Sequence, residues 1–424
     1  MGARVLRPEG IGFLFLDSHP AGCARTVDEM ISEARAIEAV PMPAAPRVPM
    51  PAAPGVPMPA APRVLIIGCS AGYGLATAVS GLFGYRGQVM GVCYERPSTA
   101  RRSASAGWYR IAALADRATA AGLRFTAING DCFDPAVRAD VLDRAGRLLG
   151  GVDVLIYSVA APRRTDPATG VVHQSVVKPV GSAYLARNIA FADGVVLREV
   201  TVEPATDDEV SSTVAVMGGA DWSEWVTDLA ARGMLGAGFQ TVALTYVGSE
   251  LTGPIYRQGT IGRAKDDLEA TARQLTAGVL AAAGGTAVTS ANCAAVTMSS
   301  LAIPGISLYL SLLRAAAGGR AESPIQQSVR LWDHLTGRRP APRDGQGRLR
   351  LDEWELAADL QAEIATRWSE PAERLLAGRA DLDWFRREFR RLYGFDVAGL
   401  DYGLPVEVDV PWPKPPDPAE FAGW

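Results

Sequence analysis

Apolar residues along this chain fall into short runs separated by longer amphipathic stretches. Val64 to Ile67, Val89 to Tyr94, Arg124 to Ile128, Val152 to Val159, Thr241 to Val247 and Ala287 to Val296 read as strands. Between them Gly74 to Phe83, Trp108 to Ala120, Pro135 to Leu148 and Gly262 to Ala282 carry helical spacing, with Leu268, Ala272 and Leu275 on one face. Strands alternating with helices of this length imply right-handed βαβ crossovers and a buried parallel sheet. The predicted fold class is α/β, a doubly wound, mostly parallel sheet of Rossmann type.

The stretch Thr165 to Phe239 does not follow the alternation, and a substrate-side insertion would sit there. Downstream, Ile303 to Ala317 reads as an apolar helix, and Pro324 to Leu335 and Trp354 to Trp368 as amphipathic helices that cap the sheet or wall a pocket. An octapeptide recurs as PMPAAPRV at 41–48, PMPAAPGV at 49–56 and PMPAAPRV at 57–64. Its prolines fix φ and remove amide donors, so Pro41 to Pro62 is expected to form an extended surface arm. It reads as a spacer, the alternative being a ligand for a proline-reading partner. The expected organisation is an amino-terminal segment packing on the core (1–40), a Pro-rich linker (41–63), the sheet-containing core (64–300), a helical substrate-side and carboxyl-terminal region (301–405) and a Pro-rich tail (406–424).

With 424 residues, 48% of them hydrophobic, the chain has ample material for a large core. A net charge of -4, with Lys and Arg spread along the chain, leaves no basic stripe for a phosphate backbone and argues against a nucleic-acid partner. Cys23, Cys69, Cys93, Cys132 and Cys293 are odd in number, far apart and without C-x-x-C spacing. Neither a disulfide framework nor a structural zinc is predicted, and reduced thiols in a cytoplasm fit. Ile11 to Leu16 is too short for a signal-peptide core and no later run reaches the length of a membrane span, so a soluble, cytoplasmic protein is expected.

The first predicted strand runs into Gly68-Cys69-Ser70-Ala71-Gly72-Tyr73-Gly74, and a helix follows. Glycine lets backbone turn tightly and approach a pyrophosphate, to which the helix amino terminus offers unpaired amides and a positive dipole end. The spacing is G-x-x-x-G-x-G, a form used by short-chain dehydrogenases, rather than G-x-G-x-x-G. Glu95 closes the second strand, 21 residues past Gly74. An acidic residue there accepts hydrogen bonds from the adenosine ribose and repels the extra phosphate of NADP, which favours NADH. Arg96 could pair with Glu95 or with that phosphate, and a solvated Glu at a strand end is the plainer alternative. Asp131, after the third strand, is placed to reach adenine, and the Val159 and Ala160 backbone, ending the fourth, to pass under the ribose. The alternative for each is a loop residue that touches nothing.

A phenol, with a free pKa of about 10, stays protonated at neutral pH and can donate to a developing oxyanion. A nearby ammonium lowers that pKa and can hold the nicotinamide ribose. Tyr256 and Lys265 are the candidates for such a pair, but they stand nine positions apart where most short-chain dehydrogenases use four. On one continuous helix they would face about 180° apart. A bend supplied by Gly259 and Gly262 brings them together, leaving Tyr256 in a loop and Lys265 in the first turns of the next helix; otherwise Lys265 is an ordinary exposed lysine. Tyr246, ending the fifth strand, is either a second phenol for a substrate carbonyl or a core tyrosine with a satisfied hydroxyl. His19, His173 and His334 lack metal-ligand spacing, so no metal is predicted, and Trp222, Trp225 and Trp368 read as core.

Together these segments resemble the trans-2-enoyl-CoA reductase and FabV-type enoyl-ACP reductase family. The matching stretches are SHPAGC (18–23), IGCSAGYGLA (67–76), INGDCF (128–133), VEPATDDEV (202–210), VMGGADW (216–222), PIYRQGTIGRAKDDL (254–268), AIPGISLYLSLL (302–313) and GRLRLDEWEL (347–356), and the likeness extends to about residue 403. The eight-residue gap between Tyr256 and Lys265 is that family's hallmark. The resemblance implies an NADH-dependent, generally monomeric enzyme with a short-chain-dehydrogenase-like core and an enlarged substrate side, acting on enoyl thioesters of coenzyme A or acyl carrier protein. It implies Tyr256 as proton donor, Lys265 as nicotinamide-ribose contact and Tyr246 as substrate-carbonyl contact. It places the cofactor along Gly68, Cys69, Ser70, Ala71, Gly72, Tyr73, Tyr94, Glu95, Asp131, Cys132, Val159, Ala160, Ala295, Val296 and Thr297, of which Cys132 and Ala295 to Thr297 rest on the resemblance alone.

This chain departs from the family pattern at Gly253, where a Trp is usual, and at Arg257-Gln258, where Trp-His is common, so its acyl tunnel or preferred chain length is expected to differ. Some members carry a flavin-binding segment in the carboxyl-terminal part; no flavin motif is seen there in this chain. Two rival readings are a short-chain ketone or alcohol dehydrogenase and a non-catalytic nucleotide-binding protein. The first requires a four-residue Tyr-to-Lys step preceded by a catalytic Ser, which is not found after the fifth strand; only the proline repeat speaks for the second.

Overall fold

The computed structural model describes residues 3–11, 14–38, 58–190 and 196–414, so most of the proline repeat and the end of the tail lie outside the described residues. Seven strands form one sheet: β1 (Arg63–Ile67), β2 (Gln88–Cys93), β3 (Phe125–Asn129), β4 (Val152–Tyr157), β5 (Leu235–Thr245), β6 (Thr286–Ala291) and β7 (Leu349–Arg350). Their order is β3-β2-β1-β4-β5-β6-β7, and every neighbouring pair is parallel. The order reverses at β1/β4, as in a doubly wound fold, and ligands of such sheets lie outside the carboxyl ends of the strands.

Helices cover both faces, which explains strands without polar alternation: β4 is buried at all six positions. Val64 and Ile66 of β1 face one core, shared with α1 (Pro20–Glu38), α2 (Gly72–Phe83), α3 (Ala106–Ala120) and α9 (Pro324–Leu335). Leu65 and Ile67 face the other, built with α4 (Pro135–Leu149), α6 (Ala220–Ala231) and α7 (Thr260–Ala277). Helix α4 shows how locally these elements are specified: the Asp134 carboxylate accepts from Ala136 N–H, Pro135 opens the first turn, and Gly150 closes the helix at φ 69°.

Two hairpins, Arg163–Thr165 with Val172–Gln174 and Tyr184–Ala190 with Val196–Val202, and α5 (Asp207–Met217) fill most of the irregular stretch 165–239. The rest of it is core. Helix α6 delivers Trp222 and Trp225, both fully buried, and the Trp222 indole N–H donates to Thr241 Oγ1 on β5 at 2.8 Å. A third layer, formed by α8 (Ile306–Ala317), α10 (Ala358–Trp368) and α11 (Leu382–Arg391), packs beside the sheet through Leu310, Leu360, Ile364 and Phe385.

Several element boundaries differ from the sequence reading, the strand β5 beginning at Leu235 rather than Thr241 among them, and two differ for one local reason. Strand β6 stops at Ala291 rather than Val296 because Ala294 N–H turns away to the Glu355 carboxylate, at 2.6 Å. Helix α10 starts at Ala358 rather than Trp354, since Asp352 to Leu356 is a turn that carries Glu355 inward. Helices α1 and α11 have no counterpart in the sequence reading, although Cys23, Val27, Ile31 and Ala34 share one buried face of α1. Among the described residues no helix is long and apolar enough to cross a membrane.

Candidate active site

Each strand from β1 to β6 is followed at its carboxyl end by a residue named above: Gly68, Tyr94, Asp131, Val159, Tyr246 and Ala295 in that order. The sheet therefore gathers onto one edge positions spread over more than two hundred residues of chain.

The loop after β1 is shaped by close approach. Gly68 has φ +90°, and a Cβ there would lie 2.1 Å from the Ser158 carbonyl oxygen. A Cβ on Gly74 would lie 1.9 Å from the Gly68 carbonyl oxygen, so helix and strand meet only because both residues lack side chains. Helix α2 begins at Gly72 after Ala71, which offers no side-chain cap, so the first amides are left for an anion. Cys69 is buried, its sulfur packed beside Gly91, and contributes backbone alone. The Tyr73 phenol is likewise turned inward, donating to the Cys293 carbonyl at 2.8 Å. A methyl of Thr297 stands 3.4 Å from where a Gly72 Cβ would be, which brings the Ala295–Val296–Thr297 segment against this loop.

Glu95 is fixed from two sides: Ser70 Oγ donates to one carboxylate oxygen at 2.6 Å and Ser105 Oγ to the other at 2.5 Å. Its backbone N–H donates to the Asn129 side chain at 2.7 Å. Of the two partners open to Arg96, Glu95 is not taken, for Arg96 makes no ion pair among the described residues. Glu95, Arg96 and Ala71 line a cavity of about 590 Å³. Tyr94 is 76% exposed, and Asp131 is exposed with its carboxylate bonded to Phe133 N–H at 3.0 Å. Burial pushes the Cys132 thiol well above its usual range, so only its backbone is offered. Val159 is half-buried and Ala160 exposed.

Tyr256 lies in the turn before α7 and Lys265 in its second turn. The bend falls at Gly259, but neither glycine there adopts a positive φ. They are needed for closeness: a Cβ on Gly259 would meet the Lys178 carbonyl oxygen at 2.5 Å, and one on Gly262 the Arg257 carbonyl oxygen at 1.8 Å. Lys265 is buried rather than an exposed helix lysine, and burial, with the Arg257 charge adding to it, lowers its ammonium to about 8 against the pull of Glu269. Burial holds the Tyr256 phenol above its ordinary value, opposed by the Arg257 charge. The expected lowering of that phenol by Lys265 is therefore not found; desolvation outweighs it. No described residue accepts from or donates to the Tyr256 hydroxyl, which is left available. Arg257, at the family-atypical position, bridges to Asp266 at 2.7 Å and Glu269 at 3.1 Å.

Tyr246 follows β5, and its ring meets that of Tyr256 edge to face, centroids 5.0 Å apart. Its hydroxyl is satisfied, donating to Glu355 Oε1 at 2.9 Å. Glu355 is the residue the sequence reading missed. It is fully buried, takes a second phenol hydrogen from Tyr309 at 2.7 Å, and its carboxyl is pushed up to about 7 by burial. Its only signal in the sequence is an acid in the segment GRLRLDEWEL, which nothing in the sequence distinguishes from Asp352 and Glu353 beside it.

A doubly wound sheet with a tight glycine loop before an uncapped helix, an acid at the end of its second strand and a buried phenol and ammonium fits the class of dinucleotide-dependent oxidoreductases. Residues 102–336 match the family model described as trans-2-enoyl-CoA reductase catalytic region, and 5–100 that of the NAD(P)H binding domain of trans-2-enoyl-CoA reductase. The chain belongs to the trans-2-enoyl-CoA reductase family. An enoyl-acyl-carrier-protein reductase (NADH) of Streptomyces avermitilis is 50% identical over 411 residues, covering 96% of this chain and 100% of that protein. A trans-2-enoyl-CoA reductase of Euglena gracilis is 40% identical over 416 residues, 97% of this chain and 73% of that one. The crystal structure of Clostridium acetobutulicum trans-2-enoyl-CoA reductase in complex with NADH superposes with a TM-score of 0.84 at 32% identity, covering 96% of this chain and 98% of that one.

Residues 343–406 match a third model, described as enoyl reductase FAD binding domain. The side chains there do not fit a flavin. Leu360, Ile364, Leu375, Leu382 and Phe385 are spent packing against α8, and Tyr393 alone of this segment reaches the 590 Å³ cavity.

Proposed function

We propose that this chain reduces the carbon-carbon double bond of trans-2-enoyl thioesters to saturated acyl thioesters at the expense of NADH. The observation that carries the reading is the edge-to-face Tyr246 and Tyr256 pair, with the Tyr256 hydroxyl unbonded, at the carboxyl edge of a doubly wound sheet; Lys265 is buried in the helix that follows. When bound, NADH supplies a hydride to the β-carbon of the substrate, and the π electrons move onto the thioester oxygen as an enolate. The available Tyr256 hydroxyl donates to that oxygen in a water-poor setting where the bond is strong, and the α-carbon is then protonated. Tyr246 holds the same oxygen from the other side. The Lys265 ammonium holds the nicotinamide ribose.

The cofactor lies along Gly68 to Tyr73, with the adenosine ribose on Glu95, adenine beside Asp131 and Cys132, and the remaining contacts from Tyr94, Val159, Ala160 and Ala295 to Thr297. Relatives bear the names of both an acyl-carrier-protein and a coenzyme A reductase, and both carriers are retained as substrates. We place the enzyme in the cytoplasm as a monomer, which sedimentation of the purified protein tests.

The functional test follows NADH oxidation with crotonyl-CoA, with NADPH and substrate-free controls. Rapid loss of NADH but not NADPH is expected. Silence with crotonyl-CoA, longer enoyl-CoA and enoyl thioesters of acyl carrier protein alike overturns the reading.

A further inference from the structure

A phenol has one hydrogen to give, and that of Tyr246 is given to Glu355. While it is, Tyr246 presents only lone pairs to a substrate oxygen, and lone pairs repel one another. The surroundings of Glu355 dictate how this hydrogen is released. Oε2 is occupied by the Ala294 N–H at 2.6 Å. The Tyr309 hydroxyl donates to Oε1 at 2.7 Å, while its own oxygen accepts from the Gln361 amide at 3.1 Å, so Tyr309 is held as a donor. That amide is itself anchored on the Glu355 carbonyl at 2.6 Å. A proton added to the carboxyl therefore has one direction left, from Oε1 to the Tyr246 oxygen.

Resting on the proposed reductase reading, we infer that Glu355 sets the direction of the Tyr246 hydroxyl. With the carboxyl protonated, Glu355 donates to Tyr246 and the Tyr246 hydrogen is free for the thioester oxygen; with the carboxyl charged, the hydrogen stays on Glu355. With a substrate oxygen bound, the protonated arrangement pairs the Tyr246 hydrogen with that oxygen and the Glu355 hydrogen with Tyr246; without one, the charged arrangement pairs the Tyr246 hydrogen with Glu355. Glu355 is a positioning residue, acting on the substrate through Tyr246. The groups facing it are Tyr246 after β5, Tyr309 on α8, Tyr73 on α2, Cys293 after β6 and Asp352 on its own turn. None of these is a cation, and burial raises the carboxyl to about 7, which sets the exchange in the working range.

The experiment is the pH profile of kcat/KM for crotonyl-CoA at saturating NADH, for the wild type, Glu355→Gln and Tyr309→Phe. In the wild type the value is expected to fall by about a decade per pH unit above roughly 7, as one proton is lost. Glu355→Gln cannot gain or lose a proton in this range, so its profile is expected to stay flat from about pH 6 to 8. Tyr309→Phe removes a hydrogen bond to the charged form, raises the carboxyl further and shifts the fall to higher pH, a displacement that simple loss of packing does not produce. An active wild type whose fall persists unchanged in Glu355→Gln, or does not move in Tyr309→Phe, overturns this inference alone. A wild type inactive on every enoyl thioester overturns the reductase reading, and this inference with it.

Discussion

The rings of Tyr246 and Tyr256 meet edge to face, 5.0 Å apart and inclined at 65°, yet only Tyr246 has its hydroxyl already bonded within the protein. Two phenols of one site are thus unequal: one is tied to a buried carboxyl, the other is open. The open one is the phenol proposed to give its hydrogen to the substrate.

Tyr256→Phe keeps the ring and its contact with Tyr246 but removes the open hydroxyl. Loss of a general acid costs about 10²- to 10⁴-fold. Turnover with crotonyl-CoA is expected to fall by that factor while NADH affinity, read by fluorescence titration, stays within about twofold of wild type. Undiminished turnover removes Tyr256 from the mechanism.

Lys265 is lowered to about 8, so its charge is present below that pH and lost as pH rises through it. Activity that depends on the ammonium is expected to decline above about pH 8. Arg257→Gln removes a cation that opposes the charge on Lys265 and frees Glu269, which supports it, so the decline should move to higher pH. A decline that moves to lower pH contradicts the assignment.

Both oxygens of Glu95 accept from serine hydroxyls, those of Ser70 and Ser105, and in the proposed cofactor placement a 2′-phosphate would crowd this carboxylate. Glu95→Ala is expected to raise the ratio of kcat/KM for NADPH over NADH by roughly ten- to a hundredfold, the worth of a charged hydrogen bond lost by one cofactor and a repulsion relieved for the other. A ratio that stays put would assign cofactor choice elsewhere.

Gly68→Ala would force a side chain to φ +90° and against the Ser158 carbonyl. Strain of this kind costs about 1–3 kcal/mol even before the clash is counted. A lowered melting temperature together with weakened NADH binding is expected; wild-type values of both would mean that the loop tolerates a Cβ.

Strands β1 to β4, and the helices α2, α3 and α4 between them, were legible because a parallel sheet covered on both faces needs short, wholly apolar runs between amphipathic stretches. The glycine loop, Glu95 and Tyr246 were legible for a related reason: each sits at the end of such a run, where the topology of doubly wound sheets puts ligands. The two-residue strand β7 was not, since it is too short to show a period and forms only because Leu349 and Arg350 pair with Ser290 and Ala291. The end of β6 and the start of α10 were misplaced together, and a single interaction explains both, Glu355 drawing Ala294 out of the sheet and its own turn out of the helix.

By itself the amino-acid sequence determined the alternation of strands and helices through the first half of the core and singled out Tyr256 and Lys265 as candidates, because periodicity, turn chemistry and motif spacing are local properties of a chain. Tertiary structure alone decided which ionisable groups lie out of water and what each hydrogen is bonded to. Lys265 reads as an ordinary helix lysine until α7 is packed, and Glu355 as a surface acid until Tyr246, Tyr309 and Ala294 close around it from three distant segments. Desolvation and hydrogen-bond direction depend on everything within a few ångströms in space, and that neighbourhood is not written along the chain.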